Sequence, residues 1–156
     1  MKKLLFTILT ASLVLLVSCG GPSAVEFNDS IVKEQTKLIS TINTYSTQFG
    51  VALSTNSFAE LKAPADSLNA QIDRSVAAIK DMKTPSGGEK FKESTITYFE
   101  SMKKMGEFSQ INASDSVNGE EIMTKFQSIL EEVTKNENAF LAAQKEFAKD
   151  KNMGLK

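Results

Sequence analysis

Apolar side chains recur at spacings of three and four residues along most of this chain, and this period is what most constrains its fold. Such spacing places the side chains on one face of an α-helix, where they are buried together. No run alternates apolar and polar residues as a half-buried strand does. The pattern therefore predicts an all-α protein.

Four segments carry such a stripe, and the members of each stripe are the predicted core. Because each segment also has a polar face, we expect four amphipathic helices that bury one side each. The predicted core residues, in the order of the four segments, are Phe27, Ile31, Leu38, Ile42, Tyr45 and Phe49; Phe58, Leu61, Ala65, Leu68, Ile72, Val76, Ile79 and Met82; Phe91, Thr95, Tyr98, Met102, Met105 and Phe108; and Ile122, Phe126, Ile129, Val133, Phe140 and Phe147.

Glycines mark the limits of the first and third helices. The first helix is predicted over residues 26–49, because Gly50 suits the left-handed backbone found at many helix ends. The run Thr84-Pro85-Ser86-Gly87-Gly88 is a clear break. The third helix is predicted to follow it, over residues 89–111.

The second and fourth helices are predicted over residues 57–83 and 118–149. Ser57 and Glu60 have the spacing of a capping box at the start of the second helix. Pro64 allows two interpretations, since a proline either kinks a helix or occupies its first turn. In the second case the residues before it form a separate short turn.

Four helices of this length joined by short turns predict an antiparallel up-down four-helix bundle over residues 26–156. An alternative is a core of the second to fourth helices with the first docked loosely. Ahead of the bundle, residues 1–18 are predicted to be a signal peptide and residues 19–25 a tether.

The composition excludes most catalytic chemistry. The chain has no histidine and one cysteine, which removes histidine general bases, nucleophile–histidine pairs and nearly all zinc and haem sites. We therefore predict no enzyme, no catalytic residue, no metal and no cofactor; a catalytic alternative would need a site of Glu, Asp, Lys, Tyr and Ser alone. With Arg74 as its only arginine and a net charge of −1, the chain also lacks the basic face of a nucleic-acid-binding protein.

Met102 and Met105 place two thioethers on one face of the third helix. Thioethers are ligands for Cu(I), but both residues also continue the predicted apolar stripe. Filling the core is the favoured interpretation.

Polar residues interrupt two of the apolar stripes. In the fourth helix the interruptions are Asn136 or Glu137 and then Gln144, and in the first helix they are Glu34 or Gln35. A buried polar side chain without a partner costs about 1–3 kcal/mol, so these groups should meet each other, water or a ligand. An interhelical hydrogen bond that sets the helix register is the simpler interpretation. The alternative is a small polar pocket formed by Gln35, Asn136 and Gln144.

The amino terminus has the layout of an export signal. Basic residues at positions 2 and 3 precede an apolar run over residues 4–17, which is shorter than the roughly 20 residues of a membrane-spanning helix. The run ends in Leu16-Val17-Ser18-Cys19, which resembles the bacterial lipobox. This resemblance implies cleavage before Cys19, a diacylglycerol on its sulfur and a further fatty acyl chain such as palmitate on the new amino terminus. Two or more chains are enough for stable membrane anchoring.

Three of the aspartates are followed by serine and an aliphatic residue. These sites resemble the acceptor sites for O-linked glycans on exported proteins of Bacteroidota and would modify Ser30, Ser67 and Ser116. The alternative is helix-start chemistry, since Asp and Ser are both favoured caps.

The lipobox, the four helices and the stretch ENAFLAAQKEFAKDKNM over residues 137–153 together resemble a family of small helical surface lipoproteins of Bacteroidota and spirochaetes. The matching elements are Asn28-Asp29 at the start of the first helix and Gln144, Phe147 and Ala148 near the end of the fourth. The resemblance implies a lipid-anchored envelope protein with no catalytic residues. Gly20 after the cysteine favours the outer over the inner membrane.

The chain is therefore predicted to act by binding, as an interaction or adaptor lipoprotein with an envelope protein as its partner. The alternative is a carrier that holds a small apolar or amphipathic ligand between its helices, near Gln35 and Gln144.

Overall fold

The computed structural model describes residues 23–111 and 119–153. These residues contain four α-helices and no strand, which confirms the all-α prediction. The elements are α1 (Ala24–Thr55), a 3-10 turn (Phe58–Leu61), α2 (Lys62–Asp81), α3 (Glu89–Ser101), a 3-10 segment (Met102–Gln110) and α4 (Gly119–Asp150).

Helix α1 extends beyond both of its predicted ends. Ser23, predicted to belong to the tether, is the N-cap: its hydroxyl accepts from the Glu26 backbone at 3.1 Å, and the Glu26 carboxylate accepts from the Ser23 backbone at 2.9 Å. The helix also continues through Gly50, so the predicted end was wrong. Asn56 takes the left-handed conformation instead, with φ of 53°, and its N–H donates to the carbonyl of Ala52. Ala52 is buried, so the extra turn contributes to the core.

The second helical segment divides where Pro64 indicates. Residues Phe58–Leu61 form a separate 3-10 turn, and α2 begins at Lys62. Pro64 therefore lies in the first turn of α2, where its missing N–H would have no partner in the helix. The Ser57 side chain makes no capping hydrogen bond, so the predicted capping box is absent there.

The third segment changes its winding after Ser101. It continues as a 3-10 helix over Met102–Gln110, where the sequence predicts one uninterrupted α-helix. Two tertiary contacts lie in this tighter stretch. The Tyr45 hydroxyl donates to the carbonyl of Met105, and Gly106 lies so close to α2 that an added Cβ would be 2.9 Å from the amide nitrogen of Asn69.

The predicted stripes form one core. All members of the first and third stripes are buried, and only Met82 of the second and Phe126 of the fourth are partly exposed. Aromatic rings join α1 to α4 near both ends, with centroids 5.7 Å apart for Phe27 and Phe147 and 4.4 Å apart for Phe49 and Phe126. Met102 and Met105 lie within this core.

Candidate functional site

The polar interruption at the end of α4 meets a side chain of α1. Gln144 is 5% exposed, and its Nε2 donates to Oδ1 of Asn28, which is 2% exposed, at 2.8 Å. Gln144 was predicted from its place in the apolar stripe, whereas its partner Asn28 was expected only to mark the start of a helix. Its position one residue after the buried Phe27 was the only signal.

The other two predicted pocket residues are half-buried. Neither Gln35 nor Asn136 hydrogen-bonds to another side chain in the described part of the chain, so no such bond joins them to Gln144. Near Gln144 the interior is occupied by aromatic rings, with Phe91 5.8 Å from Phe27 and 5.7 Å from Phe147. The amide of Gln144 thus has a protein partner within a packed region.

A second buried polar contact joins α1 to α2. Glu34, rather than its neighbour Gln35, fills the interruption in the α1 stripe and is buried. Its carboxylate accepts from the Ser75 hydroxyl at 3.1 Å and from the Lys37 ammonium, one turn further along α1. Ser75 in turn accepts from the Gln71 amide at 3.2 Å. Of these three bonds, only the one from Ser75 to Glu34 joins the two helices.

Both tyrosines are buried, and burial raises the pKa of each hydroxyl well above its ordinary value. The carboxylate of Glu137 adds to the pKa increase at Tyr98. Both hydroxyls are therefore protonated at neutral pH and serve as hydrogen-bond donors. A proton-abstracting role would need the opposite shift.

The predicted modification sites differ in their surroundings. Cys19 and Ser116 lie outside the described residues. Ser67 is exposed on α2, whereas Ser30 is half-buried and its hydroxyl donates to the Glu26 carbonyl at 2.7 Å. Within residues 23–111 and 119–153 there is no group of three or more metal-ligating side chains, and no helix is apolar and long enough to span a bilayer.

The most distinctive surface feature is a line of uncharged side chains along α4. Met123 is 46% exposed and Leu141 39% exposed, and Leu130 between them is half-buried. At about 100° per residue these three residues and the exposed Thr134 lie within about 20° of one line, and the line is about 27 Å long. The line was not predicted, because the apolar stripe of this helix indicates only its core-facing side.

This line borders α1. Phe126 and Gln144, which lie between it and the core on the α4 surface, both contact α1. The salt bridges of α4 to the third segment lie on its other side, at Glu132 and Glu146. On α1, the half-buried Val32 and Ile39 follow the same side of the helix as Asn28, the contact of Gln144.

Together Val32, Ile39, Met123, Leu130 and Leu141 border a shallow surface that we name the α1/α4 groove. It is open because the backbones of α1 and α4 approach each other less closely than those of α1 and α2 or of α3 and α4. Towards the start of α4, the stacked rings of Phe49 and Phe126 lie between the two helices. Charged residues flank the α4 line, with Glu137 about 40° from it on the side of α1 and Glu131 and Lys135 on the outer side. An elongated surface with exposed apolar side chains is suited to receiving a helix from a partner protein.

No protein-family profile, characterised protein or solved structure matches this chain.

Proposed function

We propose that this chain is a lipid-anchored protein of the bacterial envelope that acts by binding another envelope protein rather than by catalysis. The observation that carries the proposal is the α1/α4 groove. Among the described residues, two of the three large apolar side chains that are exposed, Met123 and Leu141, lie on its α4 side. Leu141 and Met123 would become buried when a partner covers the groove.

The proposed arrangement is an antiparallel up-down four-helix bundle. It is supported by contacts that bring the end of one helix to the start of another. Phe27 and Phe147 bring the start of α1 to the end of α4, and Lys90 and Glu146 bring the start of α3 there too, at 2.5 Å. Phe49 and Phe58 connect the end of α1 to the turn before α2, with ring centroids 6.4 Å apart.

The proposed anchor is Cys19, on the resemblance of its surroundings to the lipobox and of the chain to helical surface lipoproteins. Because Ser23 caps α1, residues 20–23 alone would separate the acylated cysteine from the first helix. Such a spacer would hold the start of α1, the end of α4 and the α2–α3 connection near the bilayer. The groove would then extend away from the membrane, which we propose is the outer membrane.

The anchor is tested by feeding cells an alkyne-bearing fatty acid and measuring its incorporation into the protein. We expect labelling of the wild type, and loss of labelling together with release from membranes in Cys19→Ala. A labelled Cys19→Ala protein would contradict the proposed anchor. Mass spectrometry of the same material would also report glycans on Ser30, Ser67 or Ser116.

Binding through the groove is tested by cross-linking in native membranes. Leu141→Glu introduces a charge at an exposed position and should reduce capture of the partner about tenfold or more, because a charge without a partner opposes burial at an interface. The matched control is Val51→Glu, which changes an equally exposed apolar residue of α1. Equal capture by all three proteins would refute the proposal. A small molecule that accompanies the native protein and leaves on denaturation would instead support the carrier alternative.

A further inference from the structure

We propose that the 3-10 segment Met102–Gln110 is a strap with two windings, and that its change of winding controls how firmly α1 and α4 are joined at one end. In the observed winding Phe108 fills the core between α1 and α4. In the alternative α winding Ser109 takes that place and Phe108 turns away. The inference concerns the fold itself, so it depends neither on the proposed anchor nor on a partner.

The length of this segment is the first reason. It runs for nine residues, whereas 3-10 runs longer than three or four residues are uncommon, and such a stretch within a helix often marks a hinge. Its methionines, lysines, glutamate and glutamine all favour the α-helix, and Gly106 alone is strongly unfavourable there. Local preference and observed winding therefore disagree, which indicates that tertiary contacts decide the winding.

The spacing of the buried side chains shows what each winding places in the core. Met102, Met105 and Phe108 are all buried, and at three residues per turn they lie in one line. At about 3.6 residues per turn, with Met102 kept in place, Phe108 would turn by about 120° around the helix axis. Ser109 would then lie within about 20° of the present direction of Phe108 and about 1.5 Å from its present height. The two windings therefore exchange an aromatic ring for a hydroxyl at one place in the core.

Phe108 holds the observed winding through a cluster of three rings from three elements. Its ring centroid is 5.0 Å from that of Phe49 on α1 and 5.8 Å from that of Phe126 on α4, and those two rings are 4.4 Å apart. Lys125 of α4 adds a second contact, because its ammonium lies 5.7 Å from the Phe108 centroid and 3.1 Å from the carboxylate of Glu107. Rewinding turns Glu107 and Phe108 away from these partners and loosens the junction of α1 and α4 at this end.

The packing against α2 opposes the observed winding. An added Cβ on Gly106 would be 2.9 Å from the amide nitrogen of Asn69, and Oδ1 of the same amide is buried with no hydrogen-bond partner among the described residues. A buried acceptor without a donor raises the free energy of the state that contains it. With Met102 kept in place, rewinding turns Gly106 by about 80° and ends this close approach. The strap thus balances burial of the Phe108 ring against an unsatisfied amide.

Exchanging two neighbouring side chains tests the alternative winding in the full chain in detergent micelles. Phe108→Ser with Ser109→Phe places the ring in the core only when the segment is α-helical. We expect nuclear Overhauser contacts from the α-proton of each residue to the amide proton four residues later along 102–110, where the wild type shows contacts two residues later. The matched control is Phe108→Ser alone, and the double variant should unfold at a higher temperature than this control because its core is filled.

Two results of this exchange would overturn the inference. One is a double variant that keeps the contact pattern of the wild type. The other is a double variant that is no more stable than Phe108→Ser, since the ring at position 109 would then not have entered the core.

A milder change tests the balance without disturbing the core. Relaxation-dispersion NMR of the wild type should show microsecond-to-millisecond exchange over 102–110 and at the ring of Phe126. Gly106→Ala favours the α winding and opposes the approach to Asn69, so it should raise the population of the minor state about fivefold. The control is Gly50→Ala, whose added Cβ meets nothing within 4 Å, and it should leave this exchange unchanged.

The outcomes of the second experiment are equally distinct. Absence of exchange in the strap, or a minor population that Gly106→Ala does not raise, would overturn the two windings. Exchange confined to the strap, with none at Phe126, would overturn its control of the junction between α1 and α4.

Discussion

The hydrogen bond between Asn28 and Gln144 provides the sharpest test of how the ends of α1 and α4 are joined. Both side chains are buried, and the bond is 2.8 Å long. We expect Gln144→Met to lower the free energy of unfolding by about 1–3 kcal/mol, because the apolar replacement of similar length leaves Oδ1 of Asn28 buried without its donor. Asn28→Leu should have a similar cost, because the Gln144 amide then lacks its acceptor.

The double variant distinguishes the bond from the two side chains. When both partners become apolar, no polar group is left unpaired, and Asn28→Leu with Gln144→Met should unfold within about 1 kcal/mol of the wild type. The single changes would then be non-additive, with an interaction energy of about 1–3 kcal/mol. This coupling is the quantity that the structure predicts.

Urea unfolding followed by helical circular dichroism measures all four chains. With a slope of about 1–3 kcal/mol per molar urea, a loss of 2 kcal/mol moves the midpoint by roughly 1 M. Gln35→Met is the matched control and should change stability by less than about 0.5 kcal/mol, because Gln35 is only half-buried. Additive single changes would refute the coupling. Single changes without cost would show that the two amides are solvated in solution.

Three further changes test local features of the fold. Gly50→Ala should stabilise the chain by about 1 kcal/mol in thermal unfolding, since an added Cβ inside α1 meets nothing within 4 Å. Gly106→Ala should gain less than this, because its Cβ would be 2.9 Å from the amide nitrogen of Asn69, whose side chain has to shift. An equal gain in the two variants would contradict this close approach. Tyr45→Phe should cost about 1 kcal/mol in urea unfolding through loss of the hydroxyl donor to the 3-10 segment, and an unchanged midpoint would mean that the bond contributes nothing. The backbone and hydroxyl of Ser23 hold the pKa of Glu26 below its ordinary value of 4.5. Glu26→Gln should therefore be less stable than the wild type at neutral pH, and the difference in stability should vanish as the pH falls below that value. A difference that does not change with pH would show that the charge is not involved.

The buried residues were predictable because burial follows the helical period directly. Ile31, Leu68 and Ile79 recur at helical spacing and are all fully buried. Pro64 also limited where α2 could begin, because a proline fits the first turn of a helix and disturbs its interior. These inferences concern which residues are apolar and where the backbone lacks a donor, and both are local properties of the chain.

The end of α1 shows why helix limits were harder to predict. Gly50 is a suitable terminator, but one more turn buries Ala52, and Asn56 also tolerates a left-handed backbone. The winding of Met102–Gln110 is a similar case, since it lies where Gly106 approaches α2. Each result depends on a second element that is distant in sequence.

The residues of the candidate site were likewise predictable only in part. The amino-acid sequence alone determined the all-α class, most members of the core and the polar interruption at Gln144, but not the burial of Phe99 or Ala52. Only the tertiary structure decided that Gln144 pairs with Asn28, that Glu34 rather than Gln35 is buried, and that Met123 and Leu141 remain exposed. The physical reason is that helical periodicity determines the direction in which a side chain points from the axis of its own helix. Whether that direction leads to solvent or to a partner depends on where the neighbouring helices lie.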